Sequence, residues 1–145
     1  MVNAKGHGSY QDTNISTASS VKLICMMYEG AIKFSRQAEI KIQAGDIPGK
    51  GIFISKASAI ISELMNCLDM EKGGNIAENL ARLYEFMNYQ LIQANIKNDT
   101  KPIKVVISLL KILKEAWDEL ALQTSRNLIQ KPVSTMATKS LTVQV

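Results

Sequence analysis

Residues Leu68 to Tyr84 read L-D-M-E-K-G-G-N-I-A-E-N-L-A-R-L-Y, a double-glycine break followed at once by an amphipathic run. Glycine takes left-handed backbone angles without steric cost, so Gly73 and Gly74 stop one helix. Asn75, with Glu78 three residues later, makes an asparagine form of the capping box and starts the next. The stretch predicts a helical hairpin and carries no chemistry of its own.

Working outward from that hairpin, four amphipathic segments follow one another. The first runs from about Ser20 to Ala44, with Ser19 as N-cap and Leu23, Met27, Phe34, Ala38 and Ile42 at helical spacing. Gly45-Asp46-Ile47-Pro48-Gly49 ends it. The second, from about Lys50 to Leu68, carries Phe53, Ala57, Ile60, Leu64 and Leu68 on one side. The third, from Asn75 to about Asn98, sets Leu80, Leu83, Met87, Leu91 and Ala94 in register. Asn98-Asp99-Thr100 then turns the chain into a fourth helix that Pro102 helps to begin, with Ile103, Val106, Leu110, Leu113, Trp117 and Leu120 in one stripe.

Connections this short force neighbouring helices to run antiparallel, and segments of 19 to 25 residues are roughly 28 to 38 Å long. The expected fold is all-α, an antiparallel up-down four-helix bundle over residues 19–123. Residues 1–18 lack periodicity and are expected to form a flexible N-terminal arm. Residues 124–145, rich in Ser, Thr, Gln and Lys, are expected to form a disordered tail in which the alternating Leu141, Val143 and Val145 make no strand.

One domain suits 145 residues that are 46% hydrophobic and contain three prolines. No run approaches the twenty or so apolar residues that span a bilayer, and the polar, glycine-rich start is no secretory signal. A soluble cytosolic protein without membrane insertion is therefore expected. The net charge of +4 comes mainly from scattered lysines, with Arg36, Arg82 and Arg126 the only arginines, which argues against a nucleic-acid reader.

Catalytic and cofactor motifs are missing. The single histidine, His7, lies in a glycine-rich terminus, and no Glu-x-x-His pair exists to hold a metal in a bundle. Gly45-x-x-x-Gly49-Lys50-Gly51 is one residue short of a phosphate loop, lacks its Ser or Thr, and follows a helix where a strand is required, so a helix-breaking turn explains it. Cys25 and Cys67, far from any C-x-x-C spacing, read as small buried hydrophobes. No enzyme activity, metal or cofactor is expected.

Surplus apolar residues are the functional signal. A helix on one side of a core needs an apolar arc of about 100°. Beside its main stripe the fourth segment carries Val105, Leu109, Ile112 and Ala116, while Lys101, Lys104, Lys111 and Lys114 occupy the far side. The first segment carries Ile24, Tyr28 and Ile32 beside Leu23 and Met27. These second stripes are either further core or an apolar groove for a partner helix, and periodicity leaves both open.

The order T-A-S-S-V-K-L-I-C-M-M-Y-E-G-A-I-K-F from Thr17 to Phe34, the glycine hairpin, A-R-L-Y-E-F-M, Q-A-N-I-K-N-D around Asn95 and then Trp117 resembles the FliS family of flagellar export chaperones. The resemblance covers roughly Tyr10 to Trp117. It departs where members often carry proline, here Ser20, and where Met27 replaces a leucine before Tyr28. The resemblance implies a chaperone that holds the disordered C-terminal segment of flagellin in apolar grooves, and a second partner in the flagellar export gate. On this reading Tyr10, Ile24, Tyr28, Ile32, Tyr84, Asn95, Val105, Leu109 and Ile112 line the site, with the N-terminal arm around Tyr10 able to lie over it, and Trp117 is structural. The protein itself is expected as a monomer or weak homodimer. The alternative is a helical adaptor that meets nucleic acid or an acidic protein through Lys101, Lys104, Lys111 and Lys114.

Overall fold

The computed structural model describes residues 10–130, with side-chain surroundings from residue 19 onward except at 128 and 130. The N-terminal nine residues, His7 among them, and the tail with Leu141, Val143 and Val145 lie outside the described residues. Four helices follow one another: α1 (Tyr10–Ala44), α2 (Ile47–Asn66), α3 (Met70–Lys97) and α4 (Lys101–Gln130). The chain divides into two compact units, one of Met26–Glu115 and one of the segments on either side of it.

Within Met26–Glu115 the polar and aromatic contacts fix the helix order. Lys104 and Lys114 of α4 lie 3.8 and 3.7 Å from Glu39 and Glu29 of α1, ten residues down one helix and ten up the other, so α1 and α4 are antiparallel. Phe34 of α1 meets Phe53 of α2, ring centroids 6.1 Å apart, and Lys56 lies over both rings. Between α2 and α3, Ser58 donates to Asn88, which in turn donates to Ser62. Adjacent helices are thus antiparallel in sequence order, the up-down four-helix arrangement expected from the short connections.

Buried side chains recur every three or four residues on each helix: Tyr28, Ile32, Ser35, Ala38 and Ile42 on α1, Ile54, Ala57, Ile61 and Leu64 on α2, Tyr84, Met87, Leu91 and Ala94 on α3, and Ile103, Val106 and Leu110 on α4. At Gly30 a side chain would meet Ile60 Cδ1 at 3.1 Å, so the glycine lets α1 and α2 approach closely.

The turns differ in detail from the sequence reading. Asp46 caps α2, its carboxylate accepting from the Gly49 amide at 2.9 Å, and Pro48 sits in the first turn, so α2 starts three residues before Lys50. The Gly45-to-Gly51 stretch is this cap and the first turns it opens. At its other end α2 stops at Asn66, ahead of the glycine pair. Asp69 then caps a short turn by accepting from the Glu71 and Lys72 amides. The break comes at Gly74, whose φ of 52° and ψ of −129° suit only glycine, and it kinks α3 rather than closing α2.

Two helices also extend past their expected ends. The first reaches back to Tyr10 instead of beginning at Ser20, and the fourth runs on to Gln130. Tyr10 to Ser19 has no apolar stripe for periodicity to register. In the flanking unit Val21 and Cys25 are buried on α1, while Leu120, Leu122 and Ile129 on α4 are exposed. Cys67, expected inside the core, is exposed because it is the cap residue that ends α2.

Candidate functional site

The sequence placed two second stripes beside the core, and the structure treats them in opposite ways. On α1 the stripes exchange roles only toward the N-terminal end, since Ala38 and Ile42 of the main stripe are buried. Tyr28 and Ile32 are buried, whereas Leu23 is 57% exposed and Met27 half-buried. A tyrosine can enter a core only if its hydroxyl finds a partner, and Tyr28 finds one in Tyr84 of α3, oxygen to oxygen at 2.5 Å. Of the residues expected to line the groove, Tyr28, Ile32 and Tyr84 sit inside the bundle. Ile24 is half-buried in the flanking unit. Tyr10 is the first residue of α1, and its side chain lies outside the described surroundings.

On α4 the second stripe is surface. Ile112 is 64% and Val105 42% exposed, with half-buried Leu109 between them. At 100° per residue these three fall on one side of the buried Ile103, Val106 and Leu110, and Lys104 and Lys114 fall on the other, toward α1. Val105, Leu109 and Ile112 therefore form an apolar edge on the flank of α4 turned away from α1. Of the four lysines that the alternative reading requires, two stand beside carboxylates, so the positive potential of that face is partly cancelled.

Asn95 is exposed, yet its backbone carbonyl is engaged. Lys50, 6% exposed, donates from Nζ to Asn95 O at 3.0 Å and to Asn98 Oδ1 at 3.2 Å. Asn98 ends α3 in a left-handed conformation with φ of 53°, and the Lys50 ammonium from α2 satisfies one of the last carbonyls of α3. At this helix end Asn95 contributes its backbone carbonyl and Asn98 its side-chain amide oxygen.

One surface was not singled out in the sequence. Phe86, Tyr89, Ile92 and Ile96 are exposed along the outside of α3, opposite its buried residues. The signal was present as a second run at spacings of three, three and four residues, hidden beside the stronger stripe ending at Ala94. Among the described residues no three His, Cys, Asp or Glu side chains gather to hold a metal. No described helix is long and apolar enough to cross a membrane.

A four-helix bundle that leaves apolar helix faces in water has the design of a small helical binding protein. The chain belongs to the FliS family: the family model described as flagellar protein FliS matches residues 1–124. It is 44% identical over 109 residues to the flagellar secretion chaperone FliS of Vibrio cholerae, covering 75% of this chain and 80% of that one. Identity to the flagellar secretion chaperone FliS of Salmonella typhimurium is 37% over 130 residues, 86% of this chain and 96% of that one. With the Bacillus subtilis chaperone of the same name it is 33% over 118 residues, 81% and 86% of the two chains.

Proposed function

We propose that this protein is a cytosolic export chaperone that binds the disordered C-terminal segment of flagellin, prevents premature polymerisation and keeps it competent for flagellar type III secretion. The observation that carries the reading is the apolar edge of Val105, Leu109 and Ile112 left in water on α4, in a chain whose relatives are named flagellar secretion chaperones. Isolated exposed aliphatics are ordinary, but three in helical register offer the i, i+4, i+7 anchoring that an amphipathic helix uses.

Sequestration needs no hydrolysis. A polymerising segment ordered against the bundle is withheld from other flagellin copies. Ordering it costs about 2 to 5 kcal/mol of the gross interaction energy, which keeps binding reversible enough for release at the export gate.

Isothermal titration calorimetry with a C-terminal flagellin peptide tests the proposal. Stoichiometric 1:1 binding with a negative heat-capacity change is expected from apolar burial. An absence of heat at several temperatures, with folded protein, overturns it. Binding to unrelated duplex DNA that weakens steeply with salt is the outcome belonging to the lysine-face alternative.

A further inference from the structure

Lys50 is a buried charge whose partners are both neutral. It is 6% exposed in the first turns of α2, and its Nζ donates to Asn95 O at 3.0 Å and to Asn98 Oδ1 at 3.2 Å. Among the described residues no carboxylate pairs with it. The acidic side chains of the adjoining turns are engaged elsewhere. Asp46 accepts from the Gly49 amide and lies 3.5 Å from Lys41, and Asp99 accepts from the Lys101 amide.

Taking an ammonium out of water costs free energy that neutral acceptors offset only in part. A neutral donor would cap the end of α3 at a smaller desolvation cost, so the charge itself needs a reason. The ammonium carries three N–H groups and meets two acceptors, which leaves one donor in hand. One of the two acceptors is also replaceable, because Asn98 is exposed and its amide can turn into water. The surroundings are apolar and positive. Ile47, one turn before Lys50, is 55% exposed, Ile96, next to Asn95, is 72% exposed, and Lys97 is exposed beside it.

We propose that Lys50 is the centre of a docking point for an acidic segment of a partner protein. An Asp or Glu carboxylate of the segment takes the place of Asn98 Oδ1 on the ammonium, and its apolar neighbours cover Ile47 and Ile96. The exchange puts a charged acceptor where a neutral one stood, which strengthens the hydrogen bond and supplies the counter-ion that the bundle lacks. The docking point lies on the start of α2 and the end of α3, so it does not use the Val105, Leu109 and Ile112 edge and does not rest on flagellin binding there.

Titration of the isotope-labelled full chain with the capped tripeptide acetyl-Leu-Glu-Leu-amide, followed by NMR, tests it. The backbone amides of Asn95 to Asn98 and the side-chain amide of Asn98 shift to saturation. The same peptide with glutamine in place of glutamate binds about tenfold more weakly, as loss of a charged hydrogen bond does. Asn98→Gly keeps the left-handed turn, removes the competing amide oxygen and binds the glutamate peptide about threefold more tightly. Lys50→Met keeps the helical circular dichroism of the parent and loses the preference for glutamate. Equal affinity for the two peptides, a preference that survives Lys50→Met, or no shift at these amides at any peptide concentration overturns the proposal. Acetate that reproduces the shifts at the same concentration also overturns it, because the apolar neighbours then contribute nothing and the point takes bare anions. If Lys50→Met fails to fold, the peptide contrast and Asn98→Gly decide the matter by themselves.

Discussion

The hydroxyls of Tyr28 and Tyr84 meet in the core, 56 residues apart in sequence, with ring centroids 6.5 Å apart and ring planes tilted by 50°. The pair joins α1 to α3, two helices that run parallel across the bundle. Each hydroxyl offsets the desolvation of the other. Tyr84→Phe is expected to destabilise the fold by about 1 to 3 kcal/mol, since it removes the buried hydroxyl–hydroxyl hydrogen bond that joins the two helices. The combined Tyr28→Phe and Tyr84→Phe variant should lose less than the sum of the single changes, with a coupling energy of about 1 kcal/mol measured by urea denaturation.

The same pair sets an alkaline limit. Burial pushes the Tyr84 hydroxyl above the ordinary tyrosine value, the hydrogen bond from Tyr28 pulls it partly back, and Cys67 adds to the rise. A raised value means the folded state holds its proton longer than the unfolded chain does. The stabilisation is therefore complete below the unfolded tyrosine value of about 10 and is lost as pH climbs through the folded value. Unfolding free energies compared between parent and Tyr84→Phe should run parallel near neutrality and converge above a pH of about 10.

Lys50 provides a second long-range link, from the start of α2 to the end of α3 through Asn95 and Asn98. Lys50→Met retains most of the buried stem and removes the charged donor. The loss should be about 2 kcal/mol, typical of hydrogen bonds to charged groups, with faster amide exchange confined to the last turn of α3.

Gly74 and Gly51 should respond oppositely to alanine. Gly74 adopts a φ of 52°, so Gly74→Ala costs about 1 to 3 kcal/mol. Gly51 lies in α2 with nothing within 4 Å of a would-be side chain, and Gly51→Ala should raise stability by about 0.5 to 1 kcal/mol. Thermal melts of the two variants measure both signs.

Helix number, order and antiparallel sense were legible because Asp46-Ile47-Pro48, the glycine pair and Asn98-Asp99-Thr100 punctuate strong apolar periodicity. On α4, Ile103, Val106 and Leu110 are the core that spacing indicated. On α1 Ala38 and Ile42 are core as spacing indicated, but around Met27 and Tyr28 the inner and outer stripes were exchanged, because a helix apolar over more than one face offers two candidates and periodicity weighs both alike. Only the meeting of Tyr28 with Tyr84 breaks the tie, and a contact across 56 residues leaves no trace in local spacing. Lys50 was equally illegible, since its acceptors are a carbonyl and a cap residue on another helix.

The contrast between the two second stripes yields the last prediction. Ile32 and Ile112 look alike in sequence, each flanking a core stripe, yet one is buried and the other is 64% exposed. Ile32→Asp places a carboxylate without a charge partner in the core and should cost more than about 4 kcal/mol, enough to unfold most of the sample. Ile112→Asp removes only surface contacts, so stability should stay within about 0.5 kcal/mol of the parent. If the α4 edge receives the flagellin segment, the same variant should bind the C-terminal peptide about tenfold more weakly in calorimetry, as loss of an anchor residue does. Equal affinity with intact helicity would move the client site off α4, while leaving the buried role of Ile32 untouched.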